Sequence, residues 1–302
     1  ESLGRAEGGL MLSRRLFFLC PAAFAAPAAS VAELGGGISL HFGEQWDKPF
    51  LYPLRTVSGL VLSRRYPVET LPGEHTDHAW HRGLWYGHGN INGHDFWREL
   101  GRQKTAMLVP LAPPRRRRAG LELSAAMRTA AGDSIGEITQ RFTVRDRAPL
   151  RFLDVQIRIR GAAGISLTFG DTDDGGFGFR LSDAFREDRG ARLRNSEGAE
   201  GTKAIWGKPA RWVDYAAVID GTPAGVAVFD HPSNLRHPTQ WHARGYSLCA
   251  ANPFAARSFN KYAPDGAFTL PPDRVLDLRY RVLIHEGPFE PTQIESLYRS
   301  WR

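Results

Sequence analysis

Only two cysteines, Cys20 and Cys249, occur among the 302 residues. Cys20 lies in an apolar leader, so the remaining chain has one thiol and no intramolecular disulfide, which suits a protein that folds in a reducing compartment. The sequence has no CxxC pair for zinc and no glycine-rich phosphate loop of the GxGxxG or Walker type. A nucleotide cofactor is therefore not expected. After Ala29 no apolar run approaches the roughly 20 residues that a membrane helix needs, so the mature chain should have no membrane span. Residues 37–302 contain no Gly/Ser linker, charge block or internal repeat, which implies a single domain.

The one dense basic run, residues 115–118, contains no aromatic residues and follows Pro113-Pro114 between two strand-like segments. A solvated hairpin loop accounts for it, and the net charge of +7 does not call for a nucleic-acid partner.

The leader itself is informative. Met11 opens Ser13-Arg14-Arg15-Leu16-Phe17-Phe18-Leu19, then an alanine-rich apolar stretch, then polar sequence from Glu33. This has the form of a signal peptide over residues 11–30, preceded by an upstream extension over residues 1–10. The paired arginines match the twin-arginine signal, which exports proteins already folded, so a periplasmic or secreted location is expected. Cytoplasmic folding before export agrees with the shortage of cysteine.

Hydrophobic residues make up 42% and charged residues 24%, which is ordinary globular composition. Alternating or β-branched segments recur at residues 50–56, 59–63, 106–109, 121–126, 135–144, 150–160, 165–169, 212–219, 225–229 and 275–285. Residues 151–160 alternate almost without a break, which gives a strand with one wet face and favours antiparallel sheets. The expected fold is mainly β: a large antiparallel β-sandwich of supersandwich type over residues 31–302. One helix is predicted at residues 291–301, where Ile294, Leu297, Tyr298 and Trp301 recur at helical spacing after Pro291.

Residues 74–97 hold five of the ten histidines, His75, His78, His81, His88 and His94. Histidine moves protons near neutral pH and binds transition metals, so this concentration points to a site. A strand over residues 82–88 puts His81 and Trp85 on one face and Arg82 and His88 on the other. A second cluster, residues 230–242, carries His231, Asn234, His237, Trp241 and His242 on a loop held by Pro232 and Pro238. A third, residues 170–176, carries Asp171, Asp173 and Asp174, without the spacing of a calcium loop. Each histidine or tryptophan alone is explained by ordinary packing. Three such loops together favour a shared pocket.

The strings Tyr52-Pro53-Leu54-Arg55-Thr56, His78-Ala79-Trp80-His81-Arg82-Gly83-Leu84-Trp85, His88-Gly89-Asn90-Ile91-Asn92-Gly93-His94-Asp95-Phe96-Trp97, Asp230-His231-Pro232-Ser233-Asn234 and Ala250-Ala251-Asn252-Pro253-Phe254 resemble the bacterial family labelled "methane oxygenase PmoA". The likeness runs over nearly the whole mature chain, and its label implies an oxygenase. A looser likeness, of fold style, is to galactose-mutarotase-like sandwiches, which implies a sugar-binding face.

The leading expectation is an exported enzyme acting on a carbohydrate or other polyhydroxylated compound, small or oligomeric, by histidine-mediated proton transfer of epimerase, lyase or hydrolase type. His81 or His88 would be the base or acid, Asp95 or Asp174 its partner, and Arg82 the stabiliser of negative charge. Trp85, Asn92, Trp97, His231, Asn234, His237, Trp241 and Asn252 would bind substrate. An alternative is a divalent metal, zinc, copper or iron, held by His78, His81, His237 or His242. A non-catalytic secreted carbohydrate-binding module is the third expectation.

Overall fold

The computed structural model describes residues 30–43, 45–101 and 105–301. The upstream extension and the leader lie outside them, except for Ser30. The strands are β1 (Ser30–Gly35), β2 (Ile38–Phe42), β3 (Phe50–Tyr52), β4 (Leu84–His88), β5 (Met107–Pro110), β6 (Arg115–Arg117), β7 (Gly120–Arg128), β8 (Ser134–Arg147) and β9 (Leu150–Gly161). They continue as β10 (Leu167–Phe169), β11 (Gly175–Arg180), β12 (Arg192–Asn195), β13 (Trp212–Ile219), β14 (Thr222–Asp230), β15 (Gln240–Arg244), β16 (Leu248–Asn252), β17 (Phe268–Leu270) and β18 (Leu276–Glu286). Among the described residues three α-helices, α1 (Thr202–Ile205), α2 (Ala256–Phe259) and α3 (Pro291–Arg299), and two short 3-10 turns, Asp183–Phe185 and Glu187–Arg189, complete the set.

Two antiparallel sheets face each other. One has seven strands in the order β1-β2-β3-β4-β11-β16-β15. The other has nine, in the order β12-β13-β14-β18-β9-β8-β7-β5, with β6 paired to β7; β10 and β17 form a separate pair. This is the β-sandwich expected from the alternation. On β9 the inward stripe Leu153, Val155, Ile157 and Ile159 is at most 2% exposed, and each such side chain contributes about 1.5–3 kcal/mol on burial. The partner stripe from the seven-stranded sheet is Leu84 and Tyr86 on β4, Phe177 and Phe179 on β11, and Cys249 and Ala251 on β16.

The helix predicted at the C-terminal end is α3. Its start is fixed by a capping box between Glu290 and Gln293 with Pro291 in the first turn. Ile294, Leu297, Tyr298 and Trp301 pack against Trp212, Phe229 and Leu283, on the far side of the nine-stranded sheet.

Some local expectations change. The arginine run is not a loop, because Arg115–Arg117 pairs along β7 as an edge strand. Residues 59–63 make only single bridges, Val61 to Arg55 and Ser63 to Leu181. The 170–176 loop ends early, since Gly175 and Gly176 already belong to β11.

Gly83 decides how the histidine segment enters β4. It has φ +47°, and a Cβ there would lie 2.0 Å from the Leu51 carbonyl oxygen. Only glycine tolerates this left-handed step against a neighbouring backbone. The step breaks the alternation before Leu84, so Arg82 lies over the rings of Trp46 and Phe50 instead of sharing a face with His88.

Candidate functional site

The outward face of the seven-stranded sheet carries one cross-strand row. The register runs His41, Phe50, Trp85, Gly178, Ala250, His242. Rings stand at one end, an imidazole at the other, and the middle has almost no side chain. Trp97 fills that middle, with its ring 3.3 Å from where a Cβ on Gly178 would sit. Asp95 places Trp97: its Oδ1 accepts from the Trp97 N–H at 2.8 Å and the Arg98 N–H at 2.9 Å.

From Trp85 a stack of rings climbs toward solvent. His81 lies on Trp85 at 5.2 Å between centroids, His78 on His81 at 5.0 Å, and Tyr246 on His78 at 5.9 Å, with every pair within 11° of parallel. Trp80 meets His78 and His81 edge-on. Neither ring nitrogen of His81 has a hydrogen-bond partner, and neither do the indole N–H groups of Trp46, Trp80, Trp85 and Trp97. Burial, then the charges of Arg180 and His78, push the His81 pKa well below 6.5, so its ring is neutral.

At the open end, His78 is 42% exposed along its side chain and bonds through Nδ1 to Asp77 Oδ2 at 2.5 Å. Asp77 is held from behind. Arg180, from β11, reaches both its oxygens, and Arg64 reaches Oδ1 at 3.1 Å. Arg64 also donates to the carbonyls of Asp77, His78 and His81, so one buried guanidinium fixes the whole turn. Burial raises the Asp77 pKa, but hydrogen bonds from Arg180 and His78 and the charges of both arginines outweigh it and hold the carboxyl well below the usual range. Asp77 is therefore a permanent anion that orients the imidazole.

Facing this dyad are the carboxylates of the third loop. Asp174 has its pKa raised by burial, then by Asp173, while Arg98 opposes at 3.4 Å; the charge of His78 also reaches it. Asp173 pairs with Arg244 at 3.2 Å. His242 bonds through Nδ1 to the Asp173 carbonyl at 2.6 Å and accepts from Arg244 Nε at 2.8 Å. Burial is the main cause that lowers its pKa to about 4, so it too is neutral. Arg244 lies over the Trp206 ring.

The structure thus brings His78, His81, Trp85, Trp97, Asp95, Asp174 and His242 to one face. It sends other candidates elsewhere. His88 points into the sandwich, where Nε2 bonds to the Gly170 carbonyl at 2.9 Å between Phe169 and Phe254, and burial lowers its pKa to about 4. Arg82 is locked bidentately to Glu99. Asn92 staples a turn to Thr168 and Ser166. Trp241 is a core residue bonded to the Ala210 carbonyl. Asn252 holds the third loop through the carbonyls of Thr172 and Asp173.

His231, Asn234 and His237 belong to a different neighbourhood, next to α3. His231 lies edge-on to Trp301, Asn234 ties Asp230 to Arg279, and His237 bonds Asp230 at 2.8 Å. The metal candidates do not converge. His78 and His81 are stacked side by side, His242 has both nitrogens engaged, and His237 stands with Asp230. Among the described residues no three His, Cys, Asp or Glu side chains are grouped to hold a metal ion.

Sequence reasoning gave no role to Asp77, Arg64, Arg180, Tyr246, Trp80, Arg98 and Arg244, and named Asp173 only as a member of the third loop. It also missed Lys48, which is buried beneath Trp97, donates to the Trp97 carbonyl at 2.7 Å, and has its pKa lowered by burial to about 8 despite Glu99 nearby. These residues are scattered along the chain from Lys48 to Tyr246, and only the clusters at residues 74–97 and 170–176 hinted at any of them. A groove of about 620 Å³ lies apart from this face, between α3 and the β12–β13 connection, but its arginines are matched, Arg211 by Glu197 and Glu295, Arg299 by Glu295 and Arg194 by Asp214. The ring-lined face has the richer chemistry.

Residues 38–299 match the model of a family of unknown function (DUF6807), and the chain belongs to that family. Its description names no activity, so the oxygenase expectation rests on the motif resemblance alone. No curated protein matches the chain. Among solved structures, a putative aldose 1-epimerase from Escherichia coli K12 is similar at TM-score 0.38 and 12% identity, over 86% of this chain and 99% of that one. So distant a likeness decides nothing about chemistry.

Proposed function

We propose, from membership of a family with no assigned activity, that this chain is an exported enzyme that moves a proton on a polyhydroxylated, sugar-like compound, with His78 and Asp174 as the exchanging groups. The observation that carries this reading is the pairing of an exposed, carboxylate-backed imidazole with a carboxyl of raised pKa across one ring-lined face. His78 donates from Nδ1 to Asp77, which leaves Nε2 with a lone pair to take a proton from a carbon next to a carbonyl. Asp174, biased toward its protonated form, returns a proton from the other side.

Tyr246 and Trp80 supply apolar faces for a sugar ring. Arg98 and Arg244 stand where negative charge develops on oxygen. The metal donors named above do not fit a common ion, and no step is assigned to one. Export rests on the twin-arginine pattern before Leu16.

The test is incubation with a panel of aldoses, uronates and oligosaccharides in D2O, with nuclear magnetic resonance detection of carbon-bound deuterium and of product. Exchange that disappears in His78→Ala and in Asp174→Asn supports the proposal. Retention of a glycan with neither exchange nor product from any of the panel overturns it in favour of a binding module.

A further inference from the structure

The strongest charge pattern in the molecule lies on the opposite side of the sandwich. On the outward face of β6, β7, β8, β9 and β18, seven arginines share four carboxylates. Glu122 is gripped by Arg117 and Arg141. Asp154 takes Arg145 at 2.8 Å and Arg281 at 2.6 Å. Asp277 lies between Arg158 at 3.9 Å and Arg279 at 3.5 Å. Only Glu137 has a single partner, Arg160 at 2.7 Å.

The register explains the pattern. Glu122 faces Arg141, Glu137 faces Arg160, Asp154 faces Arg281, and Asp277 faces Arg158 across adjacent strands. Directly opposed opposite charges stabilise a sheet modestly, and alternation sends every one of these residues outward. Three cations remain in excess, and Arg115, across from Glu122 on the edge strand, adds a fourth.

The face is open. Arg145 and Arg160 are 60% and 62% exposed along their side chains. α3 and Trp301 just after it pack over β13, β14 and the ends of β9 and β18 that carry Leu150, Phe152 and Leu283, and the Trp301 ring centroid lies 5.1 Å from the Arg281 guanidinium; the arginines toward β8 and β7 lie beyond this cluster. Stability alone does not ask for two guanidiniums per carboxylate, because exposed ion pairs contribute at most about 1 kcal/mol and like charges oppose one another.

We infer that this face docks an anionic polysaccharide that carries carboxylates, a polyuronate. Charge complementarity selects a polyanion. The pairs already present show the geometry on offer, in which planar guanidinium forks hold carboxylates, and the surplus forks extend the same arrangement to a partner. No exposed large apolar side chain falls within β7, β8, β9 or β18 among the described residues, so nothing on the face inserts into a bilayer. It presents no exposed aromatic platform on which nucleobases would stack. The inference is independent of the chemistry proposed for the ring-lined face.

The experiment measures retention of the purified full chain by immobilised polygalacturonate, with dextran, phosphatidylglycerol vesicles and duplex DNA in parallel. Binding to polygalacturonate should be selective and weaken as salt rises. The Arg145→Gln, Arg158→Gln, Arg160→Gln triple variant should bind about tenfold more weakly. Glu137→Gln, which frees Arg160, should bind more tightly, and this variant of opposite sign separates docking from damage to the fold. Both variants should keep deuterium exchange at the other face, so failure here leaves the proposed activity standing. Equal retention on dextran, equal or tighter binding to vesicles or DNA, or wild-type affinity in both variants overturns the inference.

Discussion

His81 lies face to face on Trp85, with ring centroids 5.2 Å apart and planes 11° apart, and neither imidazole nitrogen is hydrogen-bonded. A buried polar ring without partners costs the fold; stacked between Trp85 and His78, it holds His78 toward solvent.

His81→Phe keeps the stack and removes the two unsatisfied nitrogens. Stability to urea should be unchanged or rise by about 1 kcal/mol, with turnover retained. Lost turnover in a folded variant would place His81 among the reacting groups.

Asp174 should behave in the opposite way to most carboxylates. Its pKa is raised in the folded state, so the fold binds its proton more tightly than the unfolded chain does. Stability is therefore highest below the ordinary carboxylate range and declines as pH rises through the raised pKa. Asp174→Asn should melt at a higher temperature than the parent at pH 7.5, with the difference shrinking in acid, while activity is lost. A lower melting temperature at pH 7.5 contradicts this account.

Acid sensitivity should come partly from His88. Its pKa is lowered from 6.5 to about 4, so between those values the unfolded chain takes a proton that the folded chain refuses. Stability then falls as pH drops from 6.5 toward 4, by up to about 3 kcal/mol. His88→Gln retains a donor for the Gly170 carbonyl and should flatten part of this slope in urea titrations at pH 7, 5.5 and 4.5. The remainder is shared by His242, His81, His41 and His231, whose pKa values burial also lowers. An unchanged slope removes His88 from the explanation.

Gly83→Ala should be severe for so small a change. The added methyl would meet the Leu51 carbonyl at 2.0 Å on a left-handed backbone. A loss of about 2–4 kcal/mol is expected, read from denaturant midpoints, together with displacement of Arg82 from Glu99. A loss below about 0.5 kcal/mol, typical of a neutral surface change, would show that the step into β4 is not rigid.

The sandwich was legible where strands are long and one face is wet. Residues 150–160 became β9 and residues 212–219 became β13 with little adjustment. β11 was hard to see because two of its three outward positions, Gly176 and Gly178, carry no side chain and only Arg180 marks that face. Those glycines are also why the site was only half readable. Gly178 leaves room for Trp97, which arrives from a neighbouring loop. The histidine cluster drew notice to residues 74–97, but spacing could not show that Arg64 and Arg180 hold Asp77 behind His78. Nor could it show that Arg82 leaves the face it would share with Leu84, Tyr86 and His88, since the change of face is made at Gly83.

The single carboxyl of Asp95 governs two parts of the face at once, because its Oδ1 sets both Trp97, the floor, and Arg98, the cation beside Asp174. Floor and charge therefore travel together as one cassette seated on bare glycine. Grafting a different turn between Gly89 and Glu99 would exchange shape and polarity in one step, while the sheet beneath and the Asp77–His78 dyad stayed as they are. For an engineer, that loop is the handle by which this scaffold would be retuned.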